Sequence, residues 1–212
     1  MELENSMEAQ GTIIRVVSAA TENATFAQDG VNVTVTLNAH GVKTGDRIQV
    51  DTAAGAEFAV GRFTVTAVTA NTFTYTADGE DTVAAASTLT FKKMYDVEAK
   101  TFSGPGGSAA VIDATTLSSK AKRKRMGLMD EGQLGFTVYY VPGNPGHETL
   151  RAARKARAPA QVEMAYSDIP TTYWGFQGFV LAFPVTGSVD GLIESAVNIE
   201  IDGTIDEYQD VA

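Results

Sequence analysis

The chain has no cysteine, which excludes disulfides, a thiolate nucleophile and cysteine-ligated zinc. Histidine is almost as scarce. His40 and His147 stand far apart in the sequence, so no metal site is expected. The most apolar window, residues 174–185, is interrupted by Gln177 and Pro184 and falls short of the roughly 20 residues a membrane helix needs. The opening residues Met1 to Asn5 are acidic and lack the basic-then-apolar order of a secretory signal. A soluble protein kept in a cytoplasm is expected, with no membrane insertion.

Signatures of catalysis are missing too. There is no Gly-x-Ser-x-Gly elbow, and the glycine run at 104–107 is followed by Ser108 and Ala109 with no phosphate-binding lysine. The adjacent pairs Asp130-Glu131 and Asp206-Glu207 would point to opposite faces of a strand instead of converging on a substrate; turns and tails are expected there. No catalytic, cofactor-binding or metal-binding residue is assigned, and no cofactor.

Positive charge is absent from one whole region. With 16 Lys and Arg against 26 Asp and Glu, the chain carries a formal charge of -10, which disfavours general nucleic-acid binding. Nothing after Arg157 is basic, whereas Lys120, Lys122, Arg123, Lys124 and Arg125 form a dense burst. Because opposite charges steer association, this burst is expected to dock on an acidic surface of another copy.

What is present is β-pattern. Val31, Val33, Val35 and Leu37 alternate with polar residues, as do Ile48 and Val50, Phe63 and Val65, and Phe73 and Tyr75, the period of strands with one wet face. Asp29-Gly30, His40-Gly41, Gly45-Asp46, Ala54-Gly55 and Asp78-Gly79 read as turns between them. Residues 12–92 are therefore expected to form a small all-β domain.

From 93 the composition changes. Residues 104–108 are too glycine-rich for a regular element and read as a hinge, and 113–131 are expected to be a long, mobile, basic loop. Leu134, Phe136 and Val138 mark a strand. Asn144-Pro145 caps a helix running to 158, with Glu148 in its first turn and Pro159 ending it. Strands follow at 161–166, 173–185 and 196–202. The stretch 178–183 is apolar on both faces, so a strand covered on both sides is expected. Trp174, Phe176, Val197 and Ile199 join Leu134, Phe136 and Val138 as expected sheet core. Glu163, Glu200 and Asp202 fall on outward faces.

The order of these pieces, Val111 to Ser119, a basic loop, Gly127 to Gly132, a strand, a short helix at Leu150-Arg151, Tyr173 to Phe179 and a final Asp202-Gly-Thr204, resembles the tail tube (major tail) proteins of siphophages. His40 to Arg47 and Gly61 to Tyr75 look like a small β module that recurs in phage structural proteins, here inserted into that fold. The resemblance implies a mainly β fold, a tail-tube-type β-sandwich or barrel with one flanking helix. The parts would be an N-terminal arm and the start of the tube fold at 1–11, the insert at 12–92, the tube domain at 93–207 and a C-terminal arm at 208–212. It also implies hexameric rings stacked around a channel for DNA ejection. The expected partners are other copies, a tape-measure protein, a tail terminator and a tail-tip or baseplate initiator. The virion tail would be its location, after assembly in the host cytoplasm. Glu163, Glu200 and Asp202 would then line the lumen or lie between rings.

Overall fold

The computed structural model describes residues 11–118, 120–166, 172–189 and 191–209. The expected arms fall mostly outside these. In chain order the elements are β1 (Ile13–Val17), β2 (Glu22–Thr36), β3 (Arg47–Ala53), β4 (Gly61–Val68), β5 (Thr72–Val97), β6 (Ala99–Ser103) and β7 (Ser108–Asp113). There follow β8 (Lys124–Asp130), β9 (Gln133–Tyr139), α1 (Pro145–Ala156), β10 (Ala160–Ala165), β11 (Thr172–Ala182), β12 (Val185–Thr186) and β13 (Glu194–Gln209). The fold is mainly β, with antiparallel pairing throughout and a single helix among the described residues.

Two hydrophobic cores lie along one spine. The smaller gathers Phe26, Val33, Val35, Ile48, Phe63, Phe73, Tyr75 and Phe91; these are the inward positions of the period-2 runs. The larger gathers Ile14, Val16, Leu134, Phe136, Val138, Leu150, Phe176, Val197 and Ile199, with Trp174 half-buried against it. Strand β5 belongs to both. Up to Lys93 it pairs with β2, β4 and β3, and from Met94 it pairs with β1. The Ser18 amide donates to the Lys93 carbonyl at 2.8 Å and closes the neck between the two bodies.

This arrangement corrects the expected boundary at residue 12. Ile14 and Val16 project into the larger core, and β1 pairs with β10 as well as β5, so residues 13–17 are part of the main sheet and not of the small module. A short strand carries no mark of which neighbour it will pair with, which is why the boundary was misplaced. Two expected turns are corrected as well. Asp29-Gly30 and Asp78-Gly79 lie inside β2 and β5, where the register slips between Gly30 and Asn32. The positive φ of Gly30, 60°, is absorbed by an irregularity in a long hairpin instead of reversing the chain.

The main sheet runs β5-β1-β10-β11-β13-β9-β6. Helix α1 packs on β11, β5 and β1. Its start is fixed by Asn144, whose Oδ1 accepts from the amides of Gly146 at 2.8 Å and His147 at 3.2 Å, and its end by Arg157 in the left-handed conformation. Strand β13 is longer than expected: it contains Asp206 and Glu207, not a turn, and reaches Tyr208 and Gln209, the first residues of the expected C-terminal arm. The 178–183 stretch is not covered on both sides either. Val180 and Phe183 are buried, while Phe179 and Leu181 face outward and stay open.

Candidate assembly surfaces

Strand β10 alternates as its sequence suggests, with Val162 and Met164 in the larger core. The opposite face is the unexpected one. Glu163 is completely buried, because the small module folds back over this part of the sheet. Arg47 from β3 donates through Nε at 3.1 Å, Arg15 from β1 through a terminal nitrogen at 3.2 Å, and the Tyr208 hydroxyl from β13 donates to the same carboxylate. Arg62 from β4 approaches within 3.9 Å and donates to the Tyr208 oxygen at 2.9 Å. The Arg47 guanidinium lies 3.9 Å from the centre of the Tyr173 ring, which stacks on Tyr208.

One carboxylate thus joins strands of both bodies. Gly175 sits directly across from Glu163 in the β10–β11 register; a side chain there would collide with the Arg62 guanidinium, so the missing side chain leaves the opening through which Arg62 enters. The expectation of Glu163 in a lumen or between rings is corrected: it is sealed inside the subunit. Burial and the Glu163 charge both push the Tyr208 hydroxyl above its usual titration range, which keeps it a donor.

Glu200 and Asp202 remain outside. Gln133 donates to Glu200 at 2.6 Å, and Asp202 is exposed. Asp202 lines a cleft of about 750 Å3 between module and sheet. Asp51, Asp78 and Asp206 also line it, with Arg62, Gln161 and Gln177 on the same walls.

The basic segment is not the loop expected at 113–131. Strands β7 and β8 pair as a separate two-stranded ribbon, Val111 opposite Met126, Ile112 opposite Arg125 and Asp113 opposite Lys124. Its tip is organised by Thr115, whose amide donates to Asp113 at 2.9 Å and whose hydroxyl accepts from the Arg123 amide at 3.0 Å. Lys120, Lys122, Arg123, Lys124 and Arg125 are all exposed at or beside this tip. None of the five forms an ion pair among the described residues. The ribbon is also apolar and uncovered: Leu128 is 91% exposed and Met126 74%, with Val111, Ile112 and Met129 similarly open. A ribbon wet on both faces has no amphipathic period, so strand alternation could not announce it.

At its base the ribbon is tied to β13. The Ile201 amide donates to the Gly132 carbonyl at 2.9 Å. Within the run expected to act as a hinge, Gly104 lies close to the backbone of Gln133 and Gly107 to that of Asp130–Glu131, so these two serve close packing, while Gly106 has open space around it.

Residues 66–170 match the family described as phage tail tube, TTP, lambda-like. Over that span the chain is a member of the phage tail tube family. That family is structural and not enzymatic. The matched span of the tail tube protein begins in β4 and takes in the ribbon, the helix and β10. No curated protein matches the chain. Among solved structures, phage phi92 endosialidase is similar at 13% identity over 82% of this chain, with a TM-score of 0.29. The chain covers 34% of that protein's length, and a likeness this loose carries no argument.

Proposed function

We propose that this subunit polymerises into the tail tube as hexameric rings stacked around a channel through which DNA leaves the virion. One observation carries the reading: in a chain of the tail tube family, the β7–β8 ribbon stands off the body with its apolar side chains uncovered. A two-stranded hairpin is marginal by itself in water, and an exposed apolar surface marks an interaction site, so other copies are its natural cover. The tube grows in the host cytoplasm around a tape-measure protein, from a tail-tip or baseplate initiator to a terminator. Glu200 and Asp202 then act at contacts between copies, and no catalytic step is involved.

Negative-stain electron microscopy of the purified protein tests this. Long hollow tubes are expected. Single rings that never stack would instead make it a hub or tail-completion protein, and strict monomers at high concentration would overturn the reading. A module that only attaches to host surfaces would leave tube growth unaltered when its outward loops are substituted.

A further inference from the structure

We propose that the acidic cleft between the small module and the main sheet is the receptor for the basic ribbon tip of a second copy. This rests on the tube reading above and adds the surface on which the ribbon lands. It makes the module half of an assembly socket instead of a decoration.

Three observations converge. The ribbon tip presents five exposed cationic side chains with no ion-pair partner among the described residues, in a chain whose net charge is -10. Its obvious complement is a concave acidic surface, and the cleft supplies Asp78 from the module with Asp202 and Asp206 from β13, beside Asp51, which is ion-paired to Lys92 at 2.9 Å. Arg62, the one basic group lining it, is held by hydrogen bonds to Tyr208 and Gln49 of the same walls. At about 750 Å3 the cleft has room for several side chains of a ribbon tip but not for a whole domain.

The third observation is geometric. The ribbon leaves the sheet beside Ile201, where Gly132 accepts its amide, and the cleft begins at the next residue, Asp202. The ribbon's base and the rim of the cleft are therefore neighbours along β13, while the tip is exposed. Such an arrangement repeats from copy to copy as a head-to-tail contact. The buried Glu163 cluster holds the module wall of the cleft in place.

The absence of cysteine allows a clean test. Lys122→Cys and Thr204→Cys variants, each with one thiol, are mixed under assembly conditions and oxidised. A disulfide-linked dimer from the mixture, absent with either variant alone, is expected. Asp202→Lys with Asp206→Lys is expected to slow polymerisation at least about tenfold at low salt, with recovery on pairing with Lys122→Glu and Lys124→Glu subunits. Tubes that grow normally but give no mixed dimer overturn this inference and leave the tube reading standing. Saturable binding of an envelope oligosaccharide in the cleft of such uncrosslinked tubes would reassign it. Wild-type protein that never forms tubes removes both.

Discussion

Arg47 Nε donates to Glu163 Oε1 at 3.1 Å, joining residues 116 positions apart in the chain, and both side chains are sealed from water. Charges are costly to bury, and removing one partner strands the other, typically at about 3–5 kcal/mol. Glu163→Gln is therefore expected to lower unfolding free energy by about that amount, measured by urea titration. It should also separate unfolding of the module from that of the main sheet, seen as two transitions where the native protein has one. A loss below about 0.5 kcal/mol would show that the cluster does not hold the seam.

How far the sequence carried is clear from this same strand. Alternation identified Val162 as one face and Glu163 as the other, just as it separated Ile199 and Ile201 from Glu200 and Asp202. Periodicity reports which residues share a face, however, and not what covers that face. The module lies over Glu163 and leaves Glu200 partly open, and the contacts that seal Glu163 come from strands over a hundred residues away in the chain. Local signals fared better: Asn144-Pro145 and Glu148 specify the helix start through hydrogen bonds made within one turn. The ribbon was illegible for the opposite reason. Both its faces are open in the subunit, so it has the composition of a loop.

Alkaline pH should weaken the seam. The Tyr208 hydroxyl titrates above its ordinary 10.0, chiefly because burial opposes the phenolate and also because Glu163 is beside it. A raised folded-state value means its contribution is complete below pH 10 and is lost as pH climbs beyond. Tyr75, raised by burial alone, adds to the same trend. Tyr208→Phe is expected to flatten part of the stability decline above pH 10, followed by circular dichroism against urea. An unaltered slope would contradict the assignment.

The acid side has its own sensor. Burial lowers the His147 titration below 6.5, opposed by a backbone contact with Val141 and by Glu148 and Glu98. The ring is held between Tyr140 and Phe183. With the folded value depressed, the unfolded chain takes up the proton first, so stability is full above pH 6.5 and falls as pH drops towards the folded value. His147→Gln should remove that portion of the slope just below pH 6.5 while lowering stability at pH 8.

Gly178 is expected to tolerate no side chain. A Cβ there would stand 2.5 Å from the Glu200 carbonyl oxygen and 2.7 Å from Ile199 Cγ2, and the first of these is backbone that cannot swing away. Gly178→Ala must therefore separate β11 from β13 where Gly178 pairs with Ile201. A destabilisation of about 1–3 kcal/mol is expected from such overpacking, with faster amide exchange in β13.

The ribbon separates folding from assembly. Leu128 and Met126 belong to neither core, and in the isolated subunit they are already in water, so replacing them removes almost no buried area on folding. Leu128→Ser with Met126→Ser should leave the urea midpoint within about 0.5 kcal/mol of the original, as surface changes do. In the tube those side chains would be covered, and each fully buried one contributes about 1.5–3 kcal/mol to association. Because every subunit makes the contact, the critical concentration for polymerisation should rise by at least about tenfold per residue lost. Light scattering against subunit concentration reads this directly. Unchanged assembly by a normally folded double variant would mean that the ribbon remains in solvent even in the tube.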